Sequence, residues 1–242
     1  MTIGIIGFGS FGKFLAEKLS SHSVVKVYDR RERPTTWRAD FDEVAACDYV
    51  VLSVPLDAYT ETLERLATVI PPTSVLVDVC SVKERPIELI RHYLPEQPLV
   101  ATHPLFGPES ASHSLQGMTM VMCPEVSAAE PYAKIKDFAE KLELSIVEMS
   151  TAEHDREMAV VQGLTFFIAR TLDEMNIHSQ RLSTPSFERL LHLAELEQHH
   201  STELFRTIQQ GNLYARSARR AFLGAAQMID SELDNDEESK VV

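Results

Sequence analysis

The sequence lacks the features that mark secreted, membrane-spanning and nucleic-acid-binding proteins. It has three scattered cysteines, Cys47, Cys80 and Cys123, and no C-x-x-C pair, which argues against a disulfide framework or a zinc site. No apolar run approaches the roughly 18 residues of a membrane span, and the first residues do not resemble a signal peptide. The net charge of −13 leaves no basic face for phosphate backbones. We therefore expect a cytoplasmic protein that binds no metal, membrane or nucleic acid.

Glycine and strand-like runs are scarce after residue 150. Before it, apolar runs alternate with helical patterns, and the runs lie at residues 3–6, 24–28, 49–54, 74–79, 99–101, 118–122 and 145–148. Such alternation predicts a mostly parallel sheet that is covered on both faces. Residues 151–233 instead predict about three helices, with breaks near Pro185 and Gly211. We assign residues 1–150 and 151–233 to two domains and the acidic residues 234–242 to a flexible tail.

A glycine motif follows the first apolar run. It reads Gly7-Phe8-Gly9-Ser10-Phe11-Gly12 and opens a helical pattern. In a strand–turn–helix, the first glycine permits a tight turn, the second admits a pyrophosphate, and the third lets helix and strand pack closely. The helix N-terminus then offers free N–H groups to the anion. All six residues are predicted to form a dinucleotide site in a Rossmann-like, doubly wound α/β domain.

The residues after the second and third strands bear on the choice of dinucleotide. Asp29 ends the second strand about 20 residues past the glycines, as expected for a carboxylate that binds the ribose diol of NAD. Arg30 follows it and is suited to the 2′-phosphate of NADP. We favour NAD and leave NADP open. Ser53 and Pro55, near the end of the third strand, are predicted to contact the same cofactor.

A second motif places an imidazole near the expected nicotinamide. The segment His103-Pro104-Leu105-Phe106-Gly107-Pro108 follows the apolar run 99–101, and ligands of α/β sheets bind at the carboxyl ends of strands. The two motifs together indicate a nicotinamide-dependent oxidoreductase with His103 as its base. By position alone, a structural histidine at a strand end is an equal alternative.

The combination of motifs resembles the prephenate/arogenate dehydrogenases of tyrosine biosynthesis, with the plant-type arogenate dehydrogenases as the most similar subgroup. The resemblance extends from residue 3 to about residue 222. It is carried by four stretches: residues 7–16, Ser81-Val82-Lys83, residues 102–110 and residues 148–155. It implies a dinucleotide-binding domain followed by an all-helical dimerisation domain. It also implies the oxidative decarboxylation of a cyclohexadienyl ring to a phenol.

The resemblance implies roles for particular residues. The family's catalytic histidine falls on His103, which would take the proton of the ring hydroxyl, and a family serine that orients both groups falls on Ser81. The alternative for Ser81 is a helix N-cap with Glu84 three positions on. Lys83 is predicted to attract a substrate carboxylate, with a surface lysine as the alternative. The predicted substrate contacts also include Gly107, Pro108, Glu109, Ser110, His154, Asp155, Gln162 and Thr165.

Two positions in the helical half bear on substrate choice. Asp155 is our candidate for binding the ammonium group that distinguishes arogenate from prephenate, although an acid in the first turn of a helix is also favoured by the helix dipole. Phe166 stands where many bacterial members carry a histidine. Arginines that many bacterial members use for the side-chain carboxylate are absent as well, which leaves open a dehydrogenase for another hydroxy or imino acid. A further alternative is a non-catalytic dinucleotide-binding regulator. We expect a homodimer, since a second copy would cover the apolar helix faces.

Overall fold

The protein forms two compact units in the computed structural model, Met1–His154 and Asp155–Val242. The structure describes residues 1–177, 179–198 and 200–238. No helix within these ranges is long and apolar enough to span a membrane.

The first unit is built on a seven-stranded sheet in the order β2-β1-β3-β4-β5-β6-β7. All neighbouring strands are parallel except the antiparallel pair β5–β6, which confirms the predicted mostly parallel sheet. The strands are β1 Thr2–Ile6, β2 Val24–Tyr28, β3 Tyr49–Leu52, β4 Val75–Asp78, β5 Leu99–Pro104, β6 Thr119–Cys123 and β7 Ser145–Glu148.

The strands form because both faces of the sheet are covered by helices. Every residue of β4 and β5 is buried, and two separate apolar clusters lie on the sheet. A strand that is covered on both faces needs no polar alternation, which explains the continuous apolar runs. The helices of this unit are α1 Ser10–Leu19, α2 Phe41–Ala45, α3 Tyr59–Leu66, α4 Glu84–Tyr93 and α5 Ala129–Lys141.

The topology brings several chain segments to one edge of the sheet. The chain leaves β1 for β2 on one side and later returns to β3 on the other. This reversal creates the switch point at which α/β sheets bind ligands. Since β1, β3, β4 and β5 are parallel, the segments after Ile6, Leu52 and Asp78 lie at the same edge as the end of β5.

Strand β5 is longer than its apolar run predicts. We expected a strand over residues 99–101 with His103 beyond it, but β5 extends to Pro104. The antiparallel neighbour β6 causes the extension, because it pairs with Thr102, His103 and Pro104. His103 is therefore held by sheet hydrogen bonding and is not on a loop.

Helix α6, Thr151–Met158, begins at the end of the first unit and continues into the second. A capping box lies at its start: the N–H of Glu153 donates to Ser150 Oγ at 3.2 Å, and the N–H of Ser150 donates to Glu153 Oε2 at 2.9 Å. These reciprocal bonds satisfy two amides that a helix start leaves open.

The described residues of the second unit form helices joined by loops and no strand, as the sequence predicts. Its helices after α6 are α7 Thr165–Glu174, α8 Pro185–Gln198, α9 Thr202–Arg206 and α10 Ala215–Glu238, with π-helical segments at Ala159–Leu164 and Thr207–Gly211. Helix α10 continues five residues into the predicted acidic tail and ends at Glu238. Residues 239–242 of that tail lie outside the described residues.

The π-helical segments were not predicted, and side chains compensate for them. Gln209 Nε2 donates to the carbonyl of Gly163 at 2.6 Å, and Arg219 donates to both the carbonyl and Oε1 of Gln209 at 3.0 and 2.6 Å. A π segment interrupts the regular helical hydrogen bonds. The amide of Gln209 thus ties one irregular segment to the other.

Candidate active site

The glycine motif forms the tight turn between β1 and α1. Gly7 has a φ of 102°, and its N–H donates to the carbonyl of Tyr28 at 2.8 Å. A Cβ on Gly12 would lie 2.0 Å from the carbonyl oxygen of Gly7, whereas a Cβ on Gly9 would meet nothing within 4 Å. The first and third glycines are therefore required by the protein's own packing, and the second faces open space.

The start of α1 is suited to an anion. Gly9 is the N-cap and makes no side-chain cap, and the first turn contains no acidic residue. Such an end presents N–H groups and the positive end of the helix dipole. The open space at Gly9 lies beside these groups, so the turn fits the pyrophosphate of a dinucleotide.

Phe8 and Asp29 join this turn to the end of β2. The N–H of Phe8 donates to Asp29 Oδ2 at 2.7 Å, and the N–H of Arg31 donates to Oδ1 at 2.8 Å. Each carboxylate oxygen has a further lone pair, which leaves Asp29 able to accept from a ribose hydroxyl. The Phe8 side chain is buried in the core, edge-on to Trp37. The side chain and the N–H of Phe8 are therefore engaged within the protein, and its contact with the cofactor stays a prediction.

The other predicted cofactor residues differ in exposure. Ser10 and Arg30 are exposed, and Phe11 is half-buried against Phe14 with ring centroids 5.9 Å apart. Ser53 is half-buried beside Gly12, with its Oγ 3.1 Å from the place a Cβ would occupy there. Pro55 is exposed on the loop after β3. Their contact with a cofactor stays a prediction.

His103 is the titratable group at the centre of the candidate site. It lies in β5, is 4% exposed, and its Nδ1 is 2.8 Å from Nε2 of the fully buried His154. Burial first, and then the neighbouring His154 and Lys83, hold the pKa of His103 well below its usual value. The imidazole is therefore neutral at pH 7 and can accept a proton.

The burial of His154 corrects its predicted role. We expected His154 to contact substrate, but it is 0% exposed and its Nε2 is engaged with His103. The sequence places two histidines 51 residues apart, with no spacing that predicts their contact. Only the packing of α6 near the end of β5 brings the two rings together.

Lys83 is also buried, which corrects both of its predicted roles. Its ammonium is 0% exposed, forms an ion pair with Asp78, and donates to the carbonyl of Thr102 at 2.5 Å. It is neither a surface lysine nor open to a substrate carboxylate. A fully buried lysine is rare unless it is paired, and Asp78 supplies that partner.

Asp78 is the centre of a buried network that sequence reasoning missed. Its Oδ1 accepts from Tyr59 at 2.6 Å, and its carbonyl accepts from Thr102 Oγ1 at 2.8 Å. With Lys83, this network joins α3, β4, β5 and the turn before α4. The available signal was a single carboxylate at the end of an apolar strand, much as Asp29 directly follows β2.

Ser81 lies half-buried on the turn between β4 and α4. The alternative that it caps α4 is wrong, because Lys83 is the N-cap and makes no side-chain cap bond. The parallel pairing of β4 and β5 brings this turn to the edge where His103 lies. Its hydrogen bond to the base or the substrate stays a prediction.

The segment after β5 forms an exposed turn. The N–H of Gly107 donates to Ser110 Oγ at 3.0 Å, and Pro108, Glu109 and Ser110 are exposed. Phe106 packs edge-on against Phe14 of α1, with centroids 6.3 Å apart. The turn therefore lies beside the helix whose first residues form the anion site. Contact of Gly107, Pro108, Glu109 and Ser110 with substrate stays a prediction.

The remaining predicted substrate residues belong to the second unit. Asp155 is fully buried, and its carbonyl accepts from Asn212 Nδ2 at 2.7 Å. Thr165 Oγ1 donates to the carbonyl of Val161 at 2.8 Å. Gln162 Oε1 is buried without a hydrogen-bond partner among the described residues. The roles proposed for Asp155, Gln162 and Thr165 remain predictions.

The position that departs from many bacterial sequences has its own neighbours. Phe166 stacks on His200, with ring centroids 4.6 Å apart and planes 24° apart. One turn on, the guanidinium of Arg170 lies 4.9 Å from the ring centroid of Phe205. An imidazole and a guanidinium thus lie near the same stretch of α7.

Comparison with known structures agrees with this architecture. The prephenate dehydrogenase of Aquifex aeolicus, solved with hydroxyphenyl propionate and NAD+, superposes with a TM-score of 0.75 at 20% identity, covering 98% of this chain and 92% of that one. The arogenate dehydrogenase of Synechocystis gives a TM-score of 0.71 at 19% identity, covering 98% and 93%. These likenesses show the fold.

Comparison of sequences identifies the family. The family described as "Prephenate dehydrogenase, nucleotide-binding domain" matches residues 29–148, and "TYRAAT1-like, C-terminal domain" matches residues 171–242. Arogenate dehydrogenase 2, chloroplastic, of Arabidopsis thaliana is 31% identical over 85% of this chain and 62% of its own length. Arogenate dehydrogenase 1, chloroplastic, from the same plant is 28% identical over 96% and 39%. The chain therefore spans less than two thirds of these relatives, and its matches identify the prephenate and arogenate dehydrogenases as the family that it resembles.

Proposed function

We propose that this chain catalyses the oxidative decarboxylation of arogenate or prephenate with a nicotinamide dinucleotide. The products would be tyrosine or 4-hydroxyphenylpyruvate, carbon dioxide and the reduced cofactor. The observation that carries the proposal is the neutral, buried imidazole of His103. It lies at the same edge of the sheet as the glycine turn. The family resemblance supplies the substrate class.

The glycine turn and the start of α1 are the residues that would hold the cofactor. Gly9 leaves room for the pyrophosphate, and the uncapped N-terminus at Ser10 favours its charge. Asp29 would accept a hydrogen bond from a ribose hydroxyl. When bound, the nicotinamide accepts the hydride that leaves the carbinol carbon of the substrate.

His103 has two tasks in this reaction. It accepts the proton of the ring hydroxyl as the carbon–oxygen bond becomes a carbonyl. Loss of the ring carboxylate as carbon dioxide then returns an electron pair to that oxygen, and His103 gives the proton back to form the phenol. Aromatisation makes the sequence effectively irreversible. Ser81 would hold the hydroxyl in line with the imidazole.

Two selectivities are proposed with this function. We propose arogenate over prephenate, because two curated plant relatives are arogenate dehydrogenases by name. We propose NAD over NADP, because Asp29 repels a 2′-phosphate, although exposed Arg30 and Arg31 beside it would favour one. The proposed compartment is a reducing one, such as the cytoplasm, since none of the three cysteines forms a disulfide.

We also propose that the active form is a homodimer. The described part of α10 exposes large apolar side chains, among them Ile229 at 59% and Leu233 at 61%, one helical turn apart. Exposed apolar faces of this kind are typical of surfaces that a partner covers.

The testing experiment is a rate assay of reduced nicotinamide formation. Arogenate and prephenate are each offered with NAD and with NADP, to the wild type and to His103→Asn. We expect turnover with arogenate and NAD, and a decrease of about 10²–10⁴-fold in the variant with unchanged cofactor affinity. Bound dinucleotide without turnover in any mixture would contradict the proposal and favour a non-catalytic regulator.

A further inference from the structure

In the first unit, His103 and His154 are joined by one hydrogen bond between their rings. Nδ1 of His103 and Nε2 of His154 are 2.8 Å apart, and the ring planes are inclined at 70°. His103 is 4% exposed and His154 is 0% exposed. Two nitrogen atoms at this distance, shielded from water, must form one hydrogen bond, because an unshared pair of buried polar atoms would be costly.

The direction of that hydrogen bond decides which nitrogen of His103 is basic. A neutral imidazole carries one N–H and one lone pair. If Nδ1 of His103 donates to His154, Nε2 of His103 keeps its lone pair and can accept a proton. If His154 donates instead, Nε2 of His103 carries the hydrogen and cannot act as the base.

We propose that His154 is a positioning residue that holds His103 in its Nδ1–H tautomer, so that Nε2 of His103 is the proton acceptor. This inference rests on the proposed function, in which His103 receives the hydroxyl proton. The Nε2 lone pair of His154 accepts the Nδ1–H of His103 before and after that transfer. The imidazolium formed by the transfer therefore keeps its hydrogen bond without any change of geometry.

The charges around His103 favour its neutral form. The groups that act on His103 are His154 from α6 and Lys83 from the turn before α4, and both oppose a positive charge on it. Lys83 is ion-paired with Asp78, and Tyr59 donates to the same carboxylate. A neutral His103, able to donate through one ring nitrogen and accept through the other, is thus the form that its surroundings support. His154 serves the base as the aspartate of a catalytic triad does, by fixing its tautomer, but without a negative charge.

The tautomer can be measured in the resting protein. Nitrogen-15 NMR of protein labelled in its histidines distinguishes Nδ1–H from Nε2–H by the shifts of the two ring nitrogens, and His103→Gln identifies the signals of His103. We expect the Nδ1–H form for wild-type His103. Finding the Nε2–H form would overturn the proposal. This readout needs no substrate, so it stands apart from success or failure of the proposed reaction.

Substitution of His154 gives a kinetic test. In His154→Gln the side-chain amide oxygen can still accept from His103 Nδ1, whereas His154→Leu has similar bulk and cannot accept. We expect the Leu variant to lose at least about 10-fold in kcat, up to the 10²–10⁴-fold that a general base provides, with little change in KM. The Gln variant should recover a larger share of kcat, and only the Leu variant should shift His103 toward the Nε2–H form.

The outcomes separate the inference from a simple packing role. Equal loss in both variants, with His103 in the same tautomer in each, would show that His154 only fills space and would overturn the proposal. Unfolding of the Leu variant is detected by circular dichroism, and in that case the wild-type tautomer and the Gln variant decide. If the wild type turns over none of the offered substrates, the proposed function fails while the tautomer measurement still gives its own answer.

Discussion

At the scale of single residues, the chemistry of this protein depends on how burial changes His103. An exposed histidine would be partly protonated near its ordinary pKa of about 6.5. Burial, then His154 and Lys83, lower the pKa of His103 well below that value. The sequence could locate this histidine from its motif, but its low basicity arises from neighbours that are remote in the chain.

The lowered pKa predicts the pH dependence of catalysis. Protonated His103 cannot accept a proton, so kcat/KM should fall only as the pH drops through the lowered pKa. The midpoint of the acid limb is expected below about pH 6.5, in a profile of kcat/KM from pH 5 to 8. A limb centred at or above that value would show that the base is not shielded as described. Cofactor affinity over the same range is the control.

The free energy of unfolding, like kcat/KM, should decrease as the pH falls. Below about pH 6.5 the unfolded chain binds a proton at position 103 that the folded protein does not bind. The free energy of unfolding should therefore decrease as the pH falls through that range, by less in His103→Asn than in the wild type. Urea unfolding at pH 7 and pH 5.5 measures the difference.

The Asp78–Lys83 pair predicts a large effect on stability. Asp78→Asn and Lys83→Met each leave one buried charge without its counter-ion, which costs about 3–5 kcal/mol in comparable cases. The double variant removes both charges and should recover much of that loss. The matched control is Lys13→Met, since Lys13 forms an exposed pair with Glu17, for which we expect a change below about 0.5 kcal/mol. Similar losses in the two single variants and the control would contradict this account.

At the scale of elements, two glycines in the turn between β1 and α1 have different roles: Gly12 is needed for packing, and Gly9 for ligand binding. Gly12→Ala would place a Cβ 2.0 Å from a backbone oxygen, while Gly9→Ala would meet nothing within 4 Å. We expect Gly12→Ala to unfold at a lower temperature, and Gly9→Ala to fold normally but to bind the dinucleotide at least about 10-fold more weakly. Thermal unfolding and cofactor titration measure both. Unchanged binding in Gly9→Ala would mean that the pyrophosphate lies elsewhere.

The elements were largely predictable from the sequence, and the exceptions have physical causes. Strands such as β2 and β7 were predicted with their observed bounds, because an apolar run bounded by polar residues is a local signal. The extension of β5 to Pro104 was not, since it depends on pairing with β6. The π-helical segments were missed because Gln209 and Gly163 are joined by a contact between distant residues.

The candidate site was only partly predictable for the same reason. The roles of the glycine turn, Asp29 and His103 could be predicted because each is indicated by residues adjacent to it in the sequence. The contact between His103 and His154 and the pairing of Lys83 with Asp78 depend on where α6 and the α4 turn pack. The sequence around Lys83 does not reveal whether its ammonium reaches solvent, and in the structure the ammonium is fully buried.

At the scale of the whole molecule, α10 predicts the oligomeric state. If a second copy covers Ile229 and Leu233, the double change to glutamate should convert a dimer to a monomer. Light scattering after size-exclusion chromatography measures the mass. Glu232→Ala, on an exposed neighbouring position, is the control and should leave the mass unchanged. A wild type that is already monomeric at micromolar concentration would contradict the dimer proposal.

The reaction itself is tested most directly by its stoichiometry. Arogenate and prephenate labelled in the ring carboxylate are each incubated with the wild type and NAD, and released carbon dioxide and reduced nicotinamide are counted together. The account predicts equal amounts of the two products, and loss of both in His103→Asn. Reduced nicotinamide without carbon dioxide, or no product from either substrate while the dinucleotide is bound, would contradict oxidative decarboxylation at His103.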